Sequence, residues 1–349
     1  MKPLVFIGAG HTHLGTIKAL KKRQQLPKST VLISASRFQY YSGMIPSWVA
    51  GHYSLEDCCI DVTTFCQRMG IQFIQTAVYD INVQKQAVIY EGGRQAYGLL
   101  SIDVGSSSRE LDQAANFSIQ TIKPLSLFVQ SLSATSARGS EAQHPMIKQV
   151  IGGGAGGFEL VMAIACRDRS RSTRWVVNDR GLLPMFAHAL RQKAFKQLQE
   201  KGIECSHTPQ SQPSLLAIGA KAHPWQSKTH LKTCKDGYFL VDKNHQCVGQ
   251  ANVFAVGDCA TRQDISLAKS GVHAVRQIPV LANNLHQVLT QTPFGLRAYH
   301  PKARQLYLLS CGDQYALGSW GNISFSGRWV WHWKKWLDTR YVRQFSARQ

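Results

Sequence analysis

Two glycine-rich turns in this 349-residue chain have the make-up of phosphate-binding loops. The first, Gly8-Ala9-Gly10-His11-Thr12-His13, follows the apolar run Leu4-Val5-Phe6-Ile7. The second, Gly152-Gly153-Gly154-Ala155-Gly156-Gly157, follows Val150-Ile151 and leads into the helical run Phe158 to Ala165. A third piece, Val253-Phe254-Ala255-Val256-Gly257-Asp258, is a short strand ending in Gly-Asp. Strand, glycine turn and helix in that order bring unpaired backbone N–H groups and the positive end of a helix dipole to one point, which favours a pyrophosphate. The first glycine permits the tight bend, the second lets the backbone approach the phosphates, and the third lets helix and strand pack closely. Gly152, Gly154 and Gly157 fill all three places. In the first turn Gly8 and Gly10 fill two, while His13 stands where the third is expected and Gly15 follows two residues later. A histidine there pushes helix and strand apart unless its ring is accommodated. His11 and His13 are also candidates to hydrogen-bond near the pyrophosphate.

Two such turns, about one dinucleotide fold apart, imply a protein that holds two dinucleotides at once. Each unit is expected to end its second strand in a ribose-binding group, usually an acid about 20 residues on. The strand Thr30-Val31-Leu32-Ile33 ends instead at Ser34, whose hydroxyl binds a ribose hydroxyl without charge assistance. The strand Arg174-Trp175-Val176-Val177 ends at Asn178-Asp179-Arg180. Asp179 favours a 2′-hydroxyl and Arg180 a 2′-phosphate, which leaves NADH and NADPH both open.

Strand and helix signals alternate over the first 105 residues, as a doubly wound parallel sheet requires. The pattern predicts a helix over His13–Lys22, a strand pair around Gln72–Asn82 and Ala87–Tyr90, and a strand from Leu99 that ends near Gly105-Ser106. Residues Ser106–His144 read as linker with one helix. Beyond them the pattern gives helices near Phe186–Lys201 and Lys269–Leu289 and an apolar run at Leu215–Ala220. The expected architecture is α/β, with two Rossmann-like dinucleotide-binding domains and a small C-terminal region. Residues 1–121 and 246–294 form the first domain, 122–245 are inserted as the second, and 295–349 form the C-terminal region.

The formal charge of +20 calls for an anionic partner. Lys and Arg are spread along the chain without a nucleic-acid motif, so nucleic acid is not expected. An anionic membrane surface, or anionic cofactors and substrates, meet the charge equally well. No window approaches the roughly 18 apolar residues of a membrane span. The N-terminus enters the first strand directly, without signal-peptide architecture, which gives a cytoplasmic expectation. Nine cysteines at irregular spacing, with no CxxC, predict neither a disulfide framework nor a metal site. Flavin disulfide reductases carry CxxxxC after the first fold unit; here that region reads Tyr40-Tyr41-Ser42-Gly43-Met44-Ile45-Pro46, so a dithiol relay is not expected. In the tail, Trp329, Trp333, Trp336, Leu337, Tyr341 and Phe345 fall near one helical face, with Lys334, Lys335, Arg340 and Arg343 around them. That is the make-up of an interfacial helix, or alternatively of a helix docked on the protein's own core.

Together these segments resemble the two-dinucleotide flavoproteins that include type II NADH dehydrogenases and sulfide:quinone reductases. A closer resemblance is to the NADH-dehydrogenase-like module often fused ahead of selenide, water dikinase. It is carried by GAGHTHLG (Gly8–Gly15), YYSGMIPSWVAGHYS (Tyr40–Ser54), GGGAGGFEL (Gly152–Leu160), VFAVGDCA (Val253–Ala260), SGVHAVRQIPVLANNL (Ser270–Leu285) and GRWVWHWKKWLDTRYVRQF (Gly327–Phe345). It covers nearly the whole chain. The resemblance implies FAD at the first turn and NAD(P)H at the second. Carried over by position, Gly8, Gly10, Ser34 and Gly105 line FAD, and Asp258, after Gly257, holds the ribityl chain. Gly152, Gly154 and Gly157 take the second pyrophosphate. Glu159 matches a glutamate beside nicotinamide and flavin, although a helix-N-terminal acid stabilised by the dipole gives the same pattern.

The implied reaction passes hydride from the nicotinamide to the flavin and then electrons to a quinone-like acceptor. Lys269 and Gln277 are candidates to bind the acceptor or the flavin's pyrimidine edge, and Tyr41 and Met44 to pack against the isoalloxazine. Two departures qualify the match. The quinone-site glutamine pair is half met, Gln277 being followed by Ile278-Pro279, and the paired cysteines of sulfide:quinone reductases have no evident counterpart beyond Cys166 and Cys311. A flavin-binding redox sensor or partner subunit linked to selenium metabolism, and a sulfide:quinone reductase, are the rival readings. Peripheral contact with the inner face of a membrane and a homodimer are compatible with either.

Overall fold

The computed structural model describes residues 2–108, 119–136, 147–168, 172–291 and 295–346. The run Leu4–Ile7 is apolar on both faces, as a strand between two covering layers must be. It is the middle strand of a five-stranded parallel sheet in the order Val253–Ala255, Leu99–Ile102, Leu4–Ile7, Val31–Ser34, Gln72–Gln75. A second five-stranded parallel sheet runs Ile119–Thr121, Ser214–Leu216, Gln149–Ile151, Arg174–Val176, Glu204–Ser206. The helices in chain order are α1 (His11–Lys22), α2 (Ile45–Val49), α3 (Val62–Met69), α4 (Leu125–Ser136), α5 (Ala155–Arg167), α6 (His188–Glu200), α7 (Gly271–Thr290) and α8 (Arg328–Arg343).

Helices α1 and α7 pack against each other, and Gly15 is what lets them meet, since a Cβ there would lie 2.2 Å from Ile278. The opposite side of the first sheet is covered by an antiparallel meander, Val78–Asn82, Ala87–Tyr90 and Gly93–Ala96, whose Ile81 and Val88 share a core with Val5, Ile7 and Val31. A three-stranded antiparallel sheet, Leu306–Ser310, Ala316–Trp320 and Ile323–Gly327, leads into α8.

Four sequence expectations change. The predicted strand signal Gln72–Asn82 is two strands, one in the parallel sheet and one in the meander. The edges of the inserted unit move as well. Ile119–Thr121 pairs into the second sheet, while Leu231, Phe239 and Val241 join the first sheet's core and Phe239–Val241 pairs with Ala260–Arg262. Residues 223–245 therefore belong with the first sheet, because their apolar side chains are buried there. The expected role of the His13 side chain at the pyrophosphate gives way to bonds inside the protein. Its ring is fully buried, edge-on to Phe6 at 4.8 Å, with Nδ1 2.7 Å from the Gly8 carbonyl oxygen and Nε2 2.8 Å from the Ser101 hydroxyl. The carbonyl only accepts, so Nδ1 carries the proton and Nε2 accepts from Ser101. Burial pushes this imidazole down to about 3, so it is neutral. The small Ser101 side chain opposite makes the room that a glycine would otherwise provide.

The tail also divides. Trp329, Trp333 and Trp336 face outward, while Trp331, Lys334, Asp338, Val342 and Phe345 are buried. A single aromatic stripe is thus two functional faces.

In the second turn an added Cβ on Gly157 would lie 1.9 Å from the Gly152 carbonyl, whereas one on Gly156 meets nothing within 4 Å. Gly157→Ala is expected to cost about 3 kcal/mol by forcing helix and strand apart. Gly156→Ala, inside α5 with open space, is expected to be neutral or stabilising by up to about 1 kcal/mol. Thermal unfolding of the two variants checks the contrast.

Candidate functional site

The second turn is an open cradle. Gly152 has φ +132° and a Cβ there would strike the Ala217 carbonyl at 2.4 Å, so only glycine makes the bend. Gly154 precedes α5, and nothing lies within 4 Å of where its Cβ would be. Open space at a helix N-terminus is the geometry that suits a bound anion. Asp179 and Arg180 are both exposed on the turn beyond Arg174–Val176.

At the first turn Gly8 has φ +89° and approaches the Asp103 carbonyl so closely that a Cβ would lie 2.3 Å from it. The space beside Gly10 is taken by the Asp103 carboxylate, 2.2 Å from where a Cβ would be. The amide N–H groups of Thr12 and His13 donate to Asp103 Oδ2 at 3.0 and 3.2 Å. Gly257, at φ +65°, comes equally near Asp103 Oδ1, and its N–H donates to Gln277 Oε1 at 2.8 Å. Gln277 is buried, with its carbonyl oxygen engaged by the Gly257 amide, so it positions the Gly-Asp turn and is not a free acceptor ligand. Ser34 ends its strand partly exposed, and Gly105 (φ +68°) has open space around its α-carbon.

Asp258 Oδ2 accepts from Lys123 Nζ at 2.8 Å, and the same ammonium donates to Ser106 Oγ. Lys269 donates to the Ala260 carbonyl and sits 4.1 Å over the Tyr238 ring; burial lowers its pKa. Lys269, Ser270, Asp258, Arg262, His273 and Gln277 border one crevice at the start of α7.

A second group of side chains gathers where α5, α8 and the Tyr40–Pro46 segment meet. Tyr41 stacks on Tyr341 at 4.7 Å, and the His11 ring stands edge-on to both at 5.4 and 5.5 Å. Burial lowers His11 to about 4, opposed by Asp258, and its Nδ1 is buried without a hydrogen-bond partner among the described residues. The Tyr41 hydroxyl donates to Asp338. Lys334 Nζ donates to Asp338 Oδ2 and to the Gly43 carbonyl, both at 2.8 Å. Glu159 Oε1 accepts the Ser310 amide at 2.8 Å, which ties α5 to the C-terminal sheet. Burial raises Glu159 to about 7, against the opposing pull of Lys334. Burial works to neutralise Lys334, but Asp338 and Glu159 outweigh it and hold the ammonium charged. Met44, expected to pack against the isoalloxazine, has no exposed surface and belongs to the core beneath this segment.

The two cysteines considered for sulfide chemistry are shielded. Cys311 is fully buried, and Cys166 lies 2.9 Å from the Asp313 carboxylate; burial raises both thiols, which disfavours thiolate. Among the described residues no cluster of His, Cys, Asp or Glu has metal-binding geometry.

No family model matches the chain. In sequence it is similar to the type II NADH:quinone oxidoreductase of Staphylococcus aureus (strain MSSA476), 20% identical over 98% of this chain and 95% of that protein. In structure it is similar to the sulfide:quinone oxidoreductase of Aquifex aeolicus, with TM-score 0.77 at 14% identity over 99% of this chain and 92% of that one. NDH2 from Plasmodium falciparum, solved in complex with NADH, also gives 0.77, at 13% identity over 99% and 97%. The fold is the FAD/NAD(P)-binding Rossmann fold of these oxidoreductases.

Within that fold the glycines and Asp258 lie on tight turns, and His11, Tyr41 and Glu159 lie near the meeting point of α5 and α8. Asp103, Lys123, Asp338 and Tyr341 escape sequence reasoning as site residues, and Lys334 reads there only as a surface cation. The one available signal was Asp103, an acid at the end of an otherwise apolar strand. Lys334→Met leaves the Asp338 and Glu159 carboxyl groups without their cation and is expected to lower stability near neutral pH by about 3 kcal/mol. Replacing both members of the pair, Lys334→Met with Asp338→Leu, is expected to cost less. Urea unfolding of the single and double variants measures the difference.

Proposed function

We propose that this chain is an FAD-dependent NAD(P)H:quinone oxidoreductase acting at a membrane surface. The observation that carries the reading is the geometry of α5. Its N-terminus carries the open second turn, and five residues on, roughly 7.5 Å along the axis, the buried Glu159 accepts the Ser310 amide and feels the charges of Lys334 and Asp338. We read this carboxyl as the point toward which the groups held by the two turns are directed. The reading divides the chain into a flavin domain of two segments and a nicotinamide domain between them.

When bound, flavin and nicotinamide supply the two-electron transfer. The chain's own residues orient and protonate. Asp258, held by Lys123, is placed for the ribityl hydroxyls, and Gln277 fixes the Gly257 turn that presents it. Quinone reduction consumes protons, and Glu159, titrating near neutrality, holds one at its carboxyl oxygen. Lys334 fixes the Gly43 backbone and keeps the cluster close to neutral. With no thiol in Tyr40–Pro46, electrons must leave to an acceptor that reaches the flavin itself.

The outer face of α8 supports peripheral membrane contact. Trp329, Trp333 and Trp336 are 57%, 37% and 54% exposed, with Phe325 stacked on the first two and Lys335, Arg340 and Arg343 beside them. Indole rings with adjacent cations suit an anionic lipid interface. No helix among the described residues is long and apolar enough to cross a membrane. The inner membrane face is the proposed location.

Anaerobic stopped-flow absorbance tests the activity: NAD(P)H bleaches the bound flavin and a short-chain quinone restores it. Acceptor reduction is expected to be fastest below about pH 7, where Glu159 is protonated, and to decline as pH rises through that value. Glu159→Gln removes the inflection and lowers the rate about 100-fold. Reduction without quinone turnover would assign a redox-sensing or partner role instead, as the resemblance to the selenide, water dikinase-associated module implies. A flavin left oxidised by both nucleotides would overturn the reading.

The lipid contact is tested separately. Replacing Trp329, Trp333 and Trp336 together by Ala is expected to reduce co-sedimentation with phosphatidylserine-containing vesicles at least about tenfold. Reduction of flavin by NAD(P)H in solution should be unchanged.

A further inference from the structure

The two glycine turns differ in one respect. Beside Gly154 the space is open, whereas beside Gly10 it holds the carboxylate of Asp103. This acid comes from the adjacent strand, occupies the α1 N-terminus through the Thr12 and His13 amides, and touches the Gly257 turn on its other side. It stands where a pyrophosphate would approach the helix. We propose that Asp103 makes dinucleotide binding at the first turn proton-linked, the carboxylate taking up a proton as the pyrophosphate arrives. The inference rests on reading the first turn as the flavin dinucleotide site.

The surroundings give Asp103 no other way to accommodate an anion. On α1, His11 and His13 are both held neutral by burial. On the Gly257 turn, Asp258 adds negative charge and Cys259 is a buried, neutral thiol. Tyr341 faces it from α8 with its phenol raised by burial, and so uncharged. The nearby ammonium of Lys123 is bonded to Asp258 and Ser106, and no Lys or Arg ion pair reaches Asp103 among the described residues. Burial already raises Asp103 to about 7, opposed by the two amides and reinforced by Asp258. A pyrophosphate brought against it disfavours the carboxylate further. The protonated form still accepts the two amides on one oxygen and donates its O–H to a phosphate oxygen. One proton is gained from solvent per dinucleotide bound, and no bond to carbon or phosphorus changes.

The sign follows from linkage. The bound form has the higher pKa, so affinity is greatest below the free protein's value and falls as pH rises through it, by about tenfold per unit. The experiment strips flavin from the full chain and measures the Kd for FAD by fluorescence quenching from about pH 6 to about pH 9. Calorimetry of the unsubstituted protein in buffers of different ionisation enthalpy counts the protons. The expected result is a Kd that rises about tenfold per unit above neutrality, with uptake approaching one proton. Asp103→Asn should give a Kd that is flat across the range. A flat Kd and no proton uptake in the unsubstituted protein would overturn the proposal while leaving the flavin site in place. A slope that persists in a folded Asp103→Asn protein would overturn it too. If FAD binds neither protein at any pH while NAD(P)H still binds, the first-turn reading itself falls, and the proposal with it.

Discussion

Three stretches of chain, far apart in sequence, pass within van der Waals distance of one another at the carboxyl edge of the first sheet. They are Gly8–His13, the end of Leu99–Ile102 with Asp103, and Val256–Asp258. Each approach is so close that a Cβ on Gly8, Gly10 or Gly257 would overlap Asp103. Almost everything else follows from this crowding. The Asp103 carboxylate joins the α1 N-terminus to the Gly257 turn, Gln277 reaches from α7 to hold that turn, and Gly15 lets α7 lie against α1. In a doubly wound sheet this edge is where helix N-termini gather and where ligands bind.

The distribution of charge follows from burial. The chain has an excess of cations, yet its site is rich in carboxyl groups: Asp103, Glu159, Asp258 and Asp338. Lys123 and Lys334 pair with Asp258 and Asp338. Among the described residues Glu159 and Asp103 have no ion-pair partner, and both are raised to about 7 by burial. The fold thus buries two carboxyl groups raised toward neutrality, one on α5 four residues past its start and one beside the first glycine turn. The remaining cations lie mostly on the surface, where they favour anionic partners.

Helix α8 connects this interior to the outside. One side sends Lys334 and Asp338 inward to the Tyr41 segment, with Tyr341 stacked beside them. The other presents tryptophans and basic residues. Because both faces belong to sixteen residues of one helix, the exposed tryptophans and the buried carboxyl cluster are held in fixed relation.

The sequence by itself determined the two phosphate turns, the parallel α/β class and the lack of a dithiol, because each is a local property. Glycine spacing, apolar runs and the presence or absence of a thiol are all read without knowing what lies opposite. The meaning of His13 was not local. It depended on Ser101, 88 positions away, leaving room for the ring and bonding it. Met44 likewise is buried in the core, and Gln277 gives its oxygen to the Gly257 amide. Asp103 lies in an apolar strand where its charge can be seen but its neighbours cannot. Lys334 reads as a surface cation until the helix is docked and its inner side is known. Side-chain function in a buried site is set by partners distant along the chain, and only the tertiary structure brought those partners together.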